Sequence, residues 1–195
     1  MDTKKFGAMR EVNKNFRYSE LIMKKMKKYR DDKKLNKSYS SFLKNKKVVI
    51  VSCAAHMKDS KYGKLIDSYD IVVRMNEAWK ITKTYAKDVG SRTDILYSSL
   101  NRNPRLGLYD IDGLLKSGIK WMIQGNQDRW TRTKEWKKKN RGRIPFHIVD
   151  WRQHAELVDK MEGIVGKHTS TSGMSAIYDL LKYDISSLYV IGFTF

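Results

Sequence analysis

YGKLIDSYDIVVRMNEA, residues 62–78, contains an apolar run, Ile71-Val72-Val73, that stops at Arg74-Met75-Asn76. A β-branched run without polar alternation reads as a strand buried on both faces, the kind found in parallel sheets covered by helices. At the tip of such a strand an open α/β sheet presents side chains to its ligand, so Arg74 and Asn76 are candidate contacts. On an extended chain these alternate residues face the same way. The Asn76 amide, donor and acceptor together, matches a pyrimidine or ribose edge. Arg74 has a second reading, an ion pair with a carboxylate such as Asp70 or Asp88.

The same pattern recurs on either side. "VVIVS" (48–52), "DILYS" (94–98), "IKWMIQG" (119–125), "FHIVD" (146–150) and "LYVIGF" (188–193) read as further strands. Between them "LYDIDGLLKSG" (108–118), "RQHAELVDKMEG" (152–163) and "GMSAIYDLLKYD" (173–184) read as helices. Strands and helices taking turns predict an α/β fold, a three-layer sandwich around a mostly parallel sheet, with ligands beyond the carboxyl ends of the strands.

The chain has 195 residues, 41% hydrophobic and 31% charged, enough for one core and too apolar for disorder throughout. Its 40 Lys and Arg against 21 Asp and Glu, a formal +19, favour polyanionic partners such as nucleic acid, anionic lipid or acidic glycans. Residues 1–47 hold 16 of those cations and 5 acids, a net of +11, and are read as a basic helical extension able to contact anionic surfaces. In it "YSELIMKKMKKYRDDKKL" spaces Leu21, Ile22, Met26 and Tyr29 at roughly helical intervals behind a capping Ser19. Residues 48–195 then form the domain. No apolar stretch of about 18 residues and no signal-peptide pattern occurs, so no membrane span is expected. The single Cys53 suits a reducing compartment, and the location expected is cytoplasmic.

Three strand ends carry candidate ligand residues. After the first strand come Ser52, Cys53, Ala54 and Ala55, small enough to admit a ligand to backbone N–H groups, or simply to pack tightly. After the second come Arg74 and Asn76. The third is "KHTSTSGMSAIYDLLKYD", where Thr169, Ser170, Thr171 and Ser172 precede Gly173 and a helical run. The free N–H groups and positive dipole end of that helix would hold a phosphate without a metal.

Joined together, Tyr62-Gly63, Ile66-Asp67, Asp70, Arg74-Met75-Asn76, Asp88-Val89-Gly90-Ser91-Arg92-Thr93, Ser172-Gly173-Met174 and Gly192-Phe193 resemble the large and small sialyl motifs of the animal-type sialyltransferases, glycosyltransferase family 29. The resemblance covers residues 48–98 and 168–195. It implies a Rossmann-like variant of the GT-A fold. It also implies an inverting, metal-independent and cofactor-free transfer of sialic acid from CMP-sialic acid to a hydroxyl of an acceptor glycan. The family's donor-binding asparagine after the second strand falls on Asn76, its Ser/Thr-Gly contacts on Thr171, Ser172 and Gly173, and its Gly-Phe-Gly on Gly192-Phe193-Thr194. The asparagine and serine after its first strand fall on Cys53 and Ala54. This chain therefore departs from the pattern there, and Ser52 or backbone N–H groups must compensate. The two motif cysteines fall near Val48 and Asp184, so the family's disulfide is absent, as expected of a bacterial, viral or phage relative.

The transfer needs a phosphate leaving group to be held and an acceptor hydroxyl to lose a proton. The family's base is a histidine beyond the small motif, and the sequence stops at Phe195. The expectation is nucleotide binding with little or no transfer, and the catalytic residue is left unassigned. Of His56, His147, His154 and His168, only His168 lies beside a matched motif, and it does not align with the family's base.

Two rivals remain at this stage. Asp110-Ile-Asp112 has the spacing by which metal-dependent glycosyltransferases hold a cation against a diphosphate-sugar donor, but it also suits a helix start. "RWTRTKEWKKKNRGR" (129–143) interleaves tryptophan with cations, as in a nucleic-acid-binding surface, an acceptor loop for an acidic glycan or an exposed helix. Charge is common to all three, whereas the joined motifs favour the transferase, and no stable nucleic-acid partner is expected.

Overall fold

Six short strands line up in the order β5-β4-β3-β2-β1-β6, and every neighbouring pair is parallel. The computed structural model describes residues 37–52, 54–125, 130–149 and 171–193. Along the chain these form α1 (Lys37–Leu43), β1 (Lys47–Val51), α2 (Gly63–Asp67), β2 (Ile71–Met75) and α3 (Ala78–Val89). There follow β3 (Ile95–Ser98), α4 (Ile111–Lys116), β4 (Trp121–Gln124), α5 (Trp130–Asn140), β5 (Phe146–Ile148), α6 (Ser172–Leu180) and β6 (Ser187–Ile191).

The unalternating strands are buried on both faces, and the pleat divides them. Val48, Ile50, Ile71, Val73, Ile95, Tyr97, Trp121 and Ile123 pack under α1 and α6, while Val49, Val51, Val72, Leu96 and Met122 pack under α2 to α5. This is the three-layer α/β sandwich that the alternation predicts. The elements are shorter than read from the sequence. Ser52 and Asp94 fall outside their strands, Leu108 to Asp110 precede α4, and α6 stops at Leu180, because the backbone breaks to cap or turn at those points. Residues 19–29 and 152–163, both read as helical, lie outside the described residues. Lys37–Leu43, within the stretch read as an extension, contributes the fully buried Tyr39 and Leu43 to the core.

Arg74 corrects its sequence reading. It alternates with Val72 and faces α3, with none of its surface exposed. Nε donates to Arg92 O and Thr93 Oγ1, both at 3.1 Å, and Nη2 donates to Val89 O at 2.5 Å and Gly90 O at 3.3 Å. Its partners are thus mainly the carbonyls at the end of α3, where a helix leaves acceptors unfilled and a cation meets the negative dipole end. Neither expected carboxylate takes part: Asp70 accepts from Lys47 N–H and Asp88 from Lys61 N–H. Burial pushes the guanidinium down to about 10, against the pull of Asp67, and it stays charged at neutral pH.

The turn that Arg74 grips is shaped by other motif residues. Asp67 receives the N–H groups of Ser91 and Arg92, and Gly90, with φ 78° and ψ 163°, takes a backbone conformation open to glycine where α3 ends. A Cβ on Gly63 would collide with the Ala86 carbonyl, so glycine there lets α2 lie against α3. Just before β3, Asp94 accepts from Val72 N–H and Arg92 Nη2, both at 2.9 Å, and pairs with Lys120 Nζ at 2.8 Å. Burial works to raise the Asp94 carboxyl, but the Lys120, Arg92 and Val72 donors outweigh it and hold it below its ordinary range.

Arg74→Leu strips donors from four buried oxygens, and urea unfolding should show a loss of about 3 kcal/mol. Arg74→Lys should recover little of it, since a point donor cannot span the set. For Asp94 the depressed carboxyl contributes stability that is whole above its unfolded pKa of about 3.9 and is lost as the pH falls through the lower folded value. Asp94→Asn should therefore be less stable at neutral pH and lose less between neutrality and about pH 3, as read by thermal melts across that range.

Candidate functional site

The winding of the sheet reverses between β1 and β6, and an open parallel sheet leaves its ligand crevice at such a point, outside the carboxyl ends of the strands. The chain leaves β1 through Ser52, whose N–H donates to Ile191 O at 2.9 Å, and the Ala54 N–H donates to Gly192 O at 3.3 Å. Gly192 has φ 76°, and a Cβ on it would lie 2.7 Å from Ser52 O and 2.9 Å from Met57 Cγ. A Cβ on Gly173 would lie 2.5 Å from the Phe193 ring. Ser52, Ala54, Gly173, Gly192 and Phe193 are thus one packed unit, and the close approach each glycine permits here is to a protein neighbour.

The departure at Cys53 and Ala54 can be followed further. The backbone N–H groups of Ser52 and Ala54, expected to stand in for the missing amide and hydroxyl, are both committed to β6. The half-buried Ser52 hydroxyl is a remaining polar side chain on this turn among the described residues. Cys53 lies outside them.

Thr171 caps α6, its backbone extended (φ −72°, ψ 161°) and its Oγ1 accepting from Met174 N–H at 3.3 Å. The N–H groups of Ser172 and Gly173, in the first turn, have no acceptor within the helix. Ser172 is partly exposed and Gly173 buried. The first turn also leans on the end of β4, since a Cβ on Gly125 would be 3.5 Å from Ser175 Cβ.

Asn76 does not continue the strand. Its φ of 47° is left-handed, its N–H donates to Tyr97 O at 2.8 Å, and its Oδ1 accepts only a long 3.5 Å bond from Ser99 N–H. The turn parts it from Arg74, so the two do not face the same way as an extended chain requires: Arg74 goes inward and Asn76 stays half exposed at the strand tip.

Other candidate groups are placed elsewhere. Asp110 caps α4 by accepting from Gly113 N–H at 2.9 Å, and Asp112 pairs with Arg143 at 2.5 Å, so the two carboxylates are engaged separately. No group of three or more His, Cys, Asp and Glu among the described residues is placed to hold a metal ion. In α5, Trp136 is fully buried with Nε1 donating to Leu108 O at 2.9 Å, and cannot stack on a base. His56 is exposed in a single turn after β1. His147 is held in the core, its Nε2 3.3 Å from Tyr183 Oη and 3.9 Å from Asp179. His154 and His168 lie outside the described residues. No helix among the described residues is long and apolar enough to cross a membrane.

The family model of glycosyltransferase family 29 (sialyltransferase) matches residues 2–104, just over half of the chain. The chain belongs to that family. Solved sialyltransferases share the fold. The sialyltransferase CstII from Campylobacter jejuni, solved with the substrate analogue cytidine-5'-monophosphate, aligns with a TM-score of 0.51 at 18% identity, over 78% of this chain and 63% of that one. A mammalian sialyltransferase solved with Gal-beta-1-3GalNAc-ortho-nitrophenol aligns at 0.51 and 19% identity, over 88% and 64%. A further mammalian sialyltransferase structure aligns at 0.51 and 19%, over 88% and 70%. The chain thus spans 63 to 70% of the length of these solved sialyltransferases. Comparison with curated proteins gives no match.

Because Gly192 combines a left-handed φ with contacts on both sides, Gly192→Ala should cost about 1 to 3 kcal/mol of stability by denaturant unfolding. It should also widen the junction of β1 and β6, seen as faster amide exchange at Ser52 and Ala54.

Proposed function

We propose that this family-29 chain binds a cytidine monophosphate sugar at the β1/β6 switch point and is built to pass its sialic acid, with inversion and without a metal ion, to a glycan hydroxyl. The observation that carries the reading is the N-terminus of α6, whose first turn packs against Phe193 at the mouth of that crevice. In this reading the N–H groups of Ser172 and Gly173 and the Ser172 hydroxyl hold the phosphate, aided by the helix dipole. Negative charge grows on the phosphate as the glycosidic bond breaks, so donors fixed in advance stabilise the transition state more than the ground state. The half-exposed Asn76 amide takes the nucleoside, and the Ser52 hydroxyl replaces contacts that Cys53 and Ala54 do not supply.

Three observations support this assignment over the diphosphate-sugar alternative. The family is one of sialyltransferases, a Campylobacter jejuni sialyltransferase of similar fold was solved with cytidine-5'-monophosphate, and Asp110 and Asp112 are engaged separately, in a helix cap and an ion pair. The helix N-terminus needs no cation to hold a single phosphate.

Calorimetry in EDTA should show CMP bound in preference to UMP and UDP. Equal or absent CMP binding would overturn the assignment, and UDP binding that needs a divalent metal would restore Asp110 and Asp112 as ligands. Asn76→Ala should weaken CMP by about 1 to 3 kcal/mol, because a desolvated edge of the ligand loses its partner, while Asp110→Ala should leave CMP affinity unchanged.

A further inference from the structure

The two halves of the proposed donor site come from different layers: Asn76 from the sheet, and the phosphate donors from a helix laid over it. One residue is bonded to both. Tyr97, on β3, is fully buried; its main-chain oxygen accepts from Asn76 N–H at 2.8 Å, and its hydroxyl donates to Asp179 Oδ2 on α6 at 2.7 Å. The same hydroxyl lies 3.1 Å from Tyr39 Oη on α1. Asp179 is 2% exposed, and His147 Nε2 stands 3.9 Å from its other oxygen.

Ala176, Ile177 and Leu180 supply the apolar part of the contact between α6 and the sheet. Such contact is non-directional and resists sliding or tilting of a short helix only weakly. A one-residue slip moves the helix about 1.5 Å, enough to lose a hydrogen bond to a bound phosphate. A buried carboxylate bonded to a fixed hydroxyl is directional, and breaking the bond strands a desolvated charge. Asp179 is seven residues from Ser172, so the pin acts about 10 Å from the end it steadies. Burial, reinforced by the Asp179 charge, pushes the Tyr97 hydroxyl well above the ordinary tyrosine range, which keeps it a donor.

We propose that Tyr97 is a positioning residue of the donor site: through its carbonyl it sets Asn76, and through its hydroxyl it sets the α6 N-terminus, holding nucleoside and phosphate contacts at one spacing. The proposal rests on the donor-site reading above. Tyr97→Phe keeps the ring and the carbonyl and removes only the pin, so it separates the two arms. The nucleoside contact should survive while the phosphate contact loosens.

The test is calorimetry of the full chain with CMP and with cytidine, alongside thermal unfolding. In Tyr97→Phe the CMP-to-cytidine affinity ratio should fall by about tenfold with cytidine affinity unchanged. Tyr39→Phe removes a bond to the same hydroxyl but leaves Tyr97 bonded to Asp179; it should lower the melting temperature and keep the ratio. Asp179→Asn retains an acceptor and should preserve the ratio, whereas Asp179→Leu should lose it. That second pair carries the test if Tyr97→Phe does not fold. A ratio that stays at the wild-type value in Tyr97→Phe and Asp179→Leu, or that falls as far in Tyr39→Phe, overturns the proposal and leaves the donor reading standing. Wild-type protein that binds cytidine and CMP equally, or neither, overturns both.

Discussion

A guanidinium with no exposed surface holds the central strand to the helical layer beside it. Burying a charge is costly unless it is hydrogen-bonded, and Arg74 meets that cost with carbonyls that the end of α3 leaves unfilled. Each requirement is then answered by a neighbour. The helix must end where the guanidinium waits, and Gly90 turns it there; the turn must stay in place, and Asp67 holds its N–H groups; α2 must lie close enough for Asp67 to reach, and Gly63 allows it. The chain emerging from this knot is β3, whose Tyr97 oxygen fixes Asn76 at the tip of β2. The placement of the Asn76 amide, proposed above as a nucleoside contact, therefore depends on a buried cation outside the proposed site.

Most of the sialyl-motif resemblance in residues 62–93 is architecture of this kind. Arg74, Asp67, Gly63, Gly90 and Arg92 are spent on helix ends and turns. Among the described residues, the polar groups assigned above to the crevice are the Asn76 amide, the Ser52 hydroxyl and the first turn of α6. A single phosphate asks for little more, because preset N–H groups and a helix dipole need no reorganisation as charge develops. The replacement of an amide and a hydroxyl by Cys53 and Ala54 falls on a turn whose backbone donors already serve the sheet.

The buried polar cluster of Tyr39, Tyr97, Asp179, His147 and Tyr183 sits among aromatic rings, with Tyr39 5.0 Å from Trp121 and 4.9 Å from Tyr183 between centroids. It joins α1, β3, β5 and α6 at one point. Apolar packing alone would bury the same area without choosing a register, whereas directional bonds in a dry interior admit one arrangement. Two lysines of α5 set their ammonium groups over aromatic faces, Lys137 Nζ 5.3 Å from the Phe146 ring centre and Lys139 Nζ 5.5 Å from that of Tyr109.

How much was legible beforehand follows from the range of each interaction. Unbroken β-branched runs and apolar periodicities are local, so the parallel sheet and its described helices are legible in the sequence, whereas α6 begins at Ser172 behind a Thr171 cap, one residue before the run read from Gly173. Element ends were misjudged by a few residues at Ser52, Asp94, Ile119 and Leu181, where hydropathy runs on past the hydrogen bonds. The facing of Arg74 was not legible, because its partners besides the Thr93 hydroxyl are backbone oxygens 15 to 18 residues away that carry no side-chain signature. Nor was the left-handed turn at Asn76, which parity along an extended strand hides. Tyr97 and Asp179 lie 82 positions apart, one in an apolar strand and one in an apolar helix, and each alone reads as an ordinary core tyrosine or a stray acid. Sequence determined which groups the crevice has to work with; which of them point into it was decided only when distant backbone and side chains were packed dry against each other, where a buried polar group must find a partner.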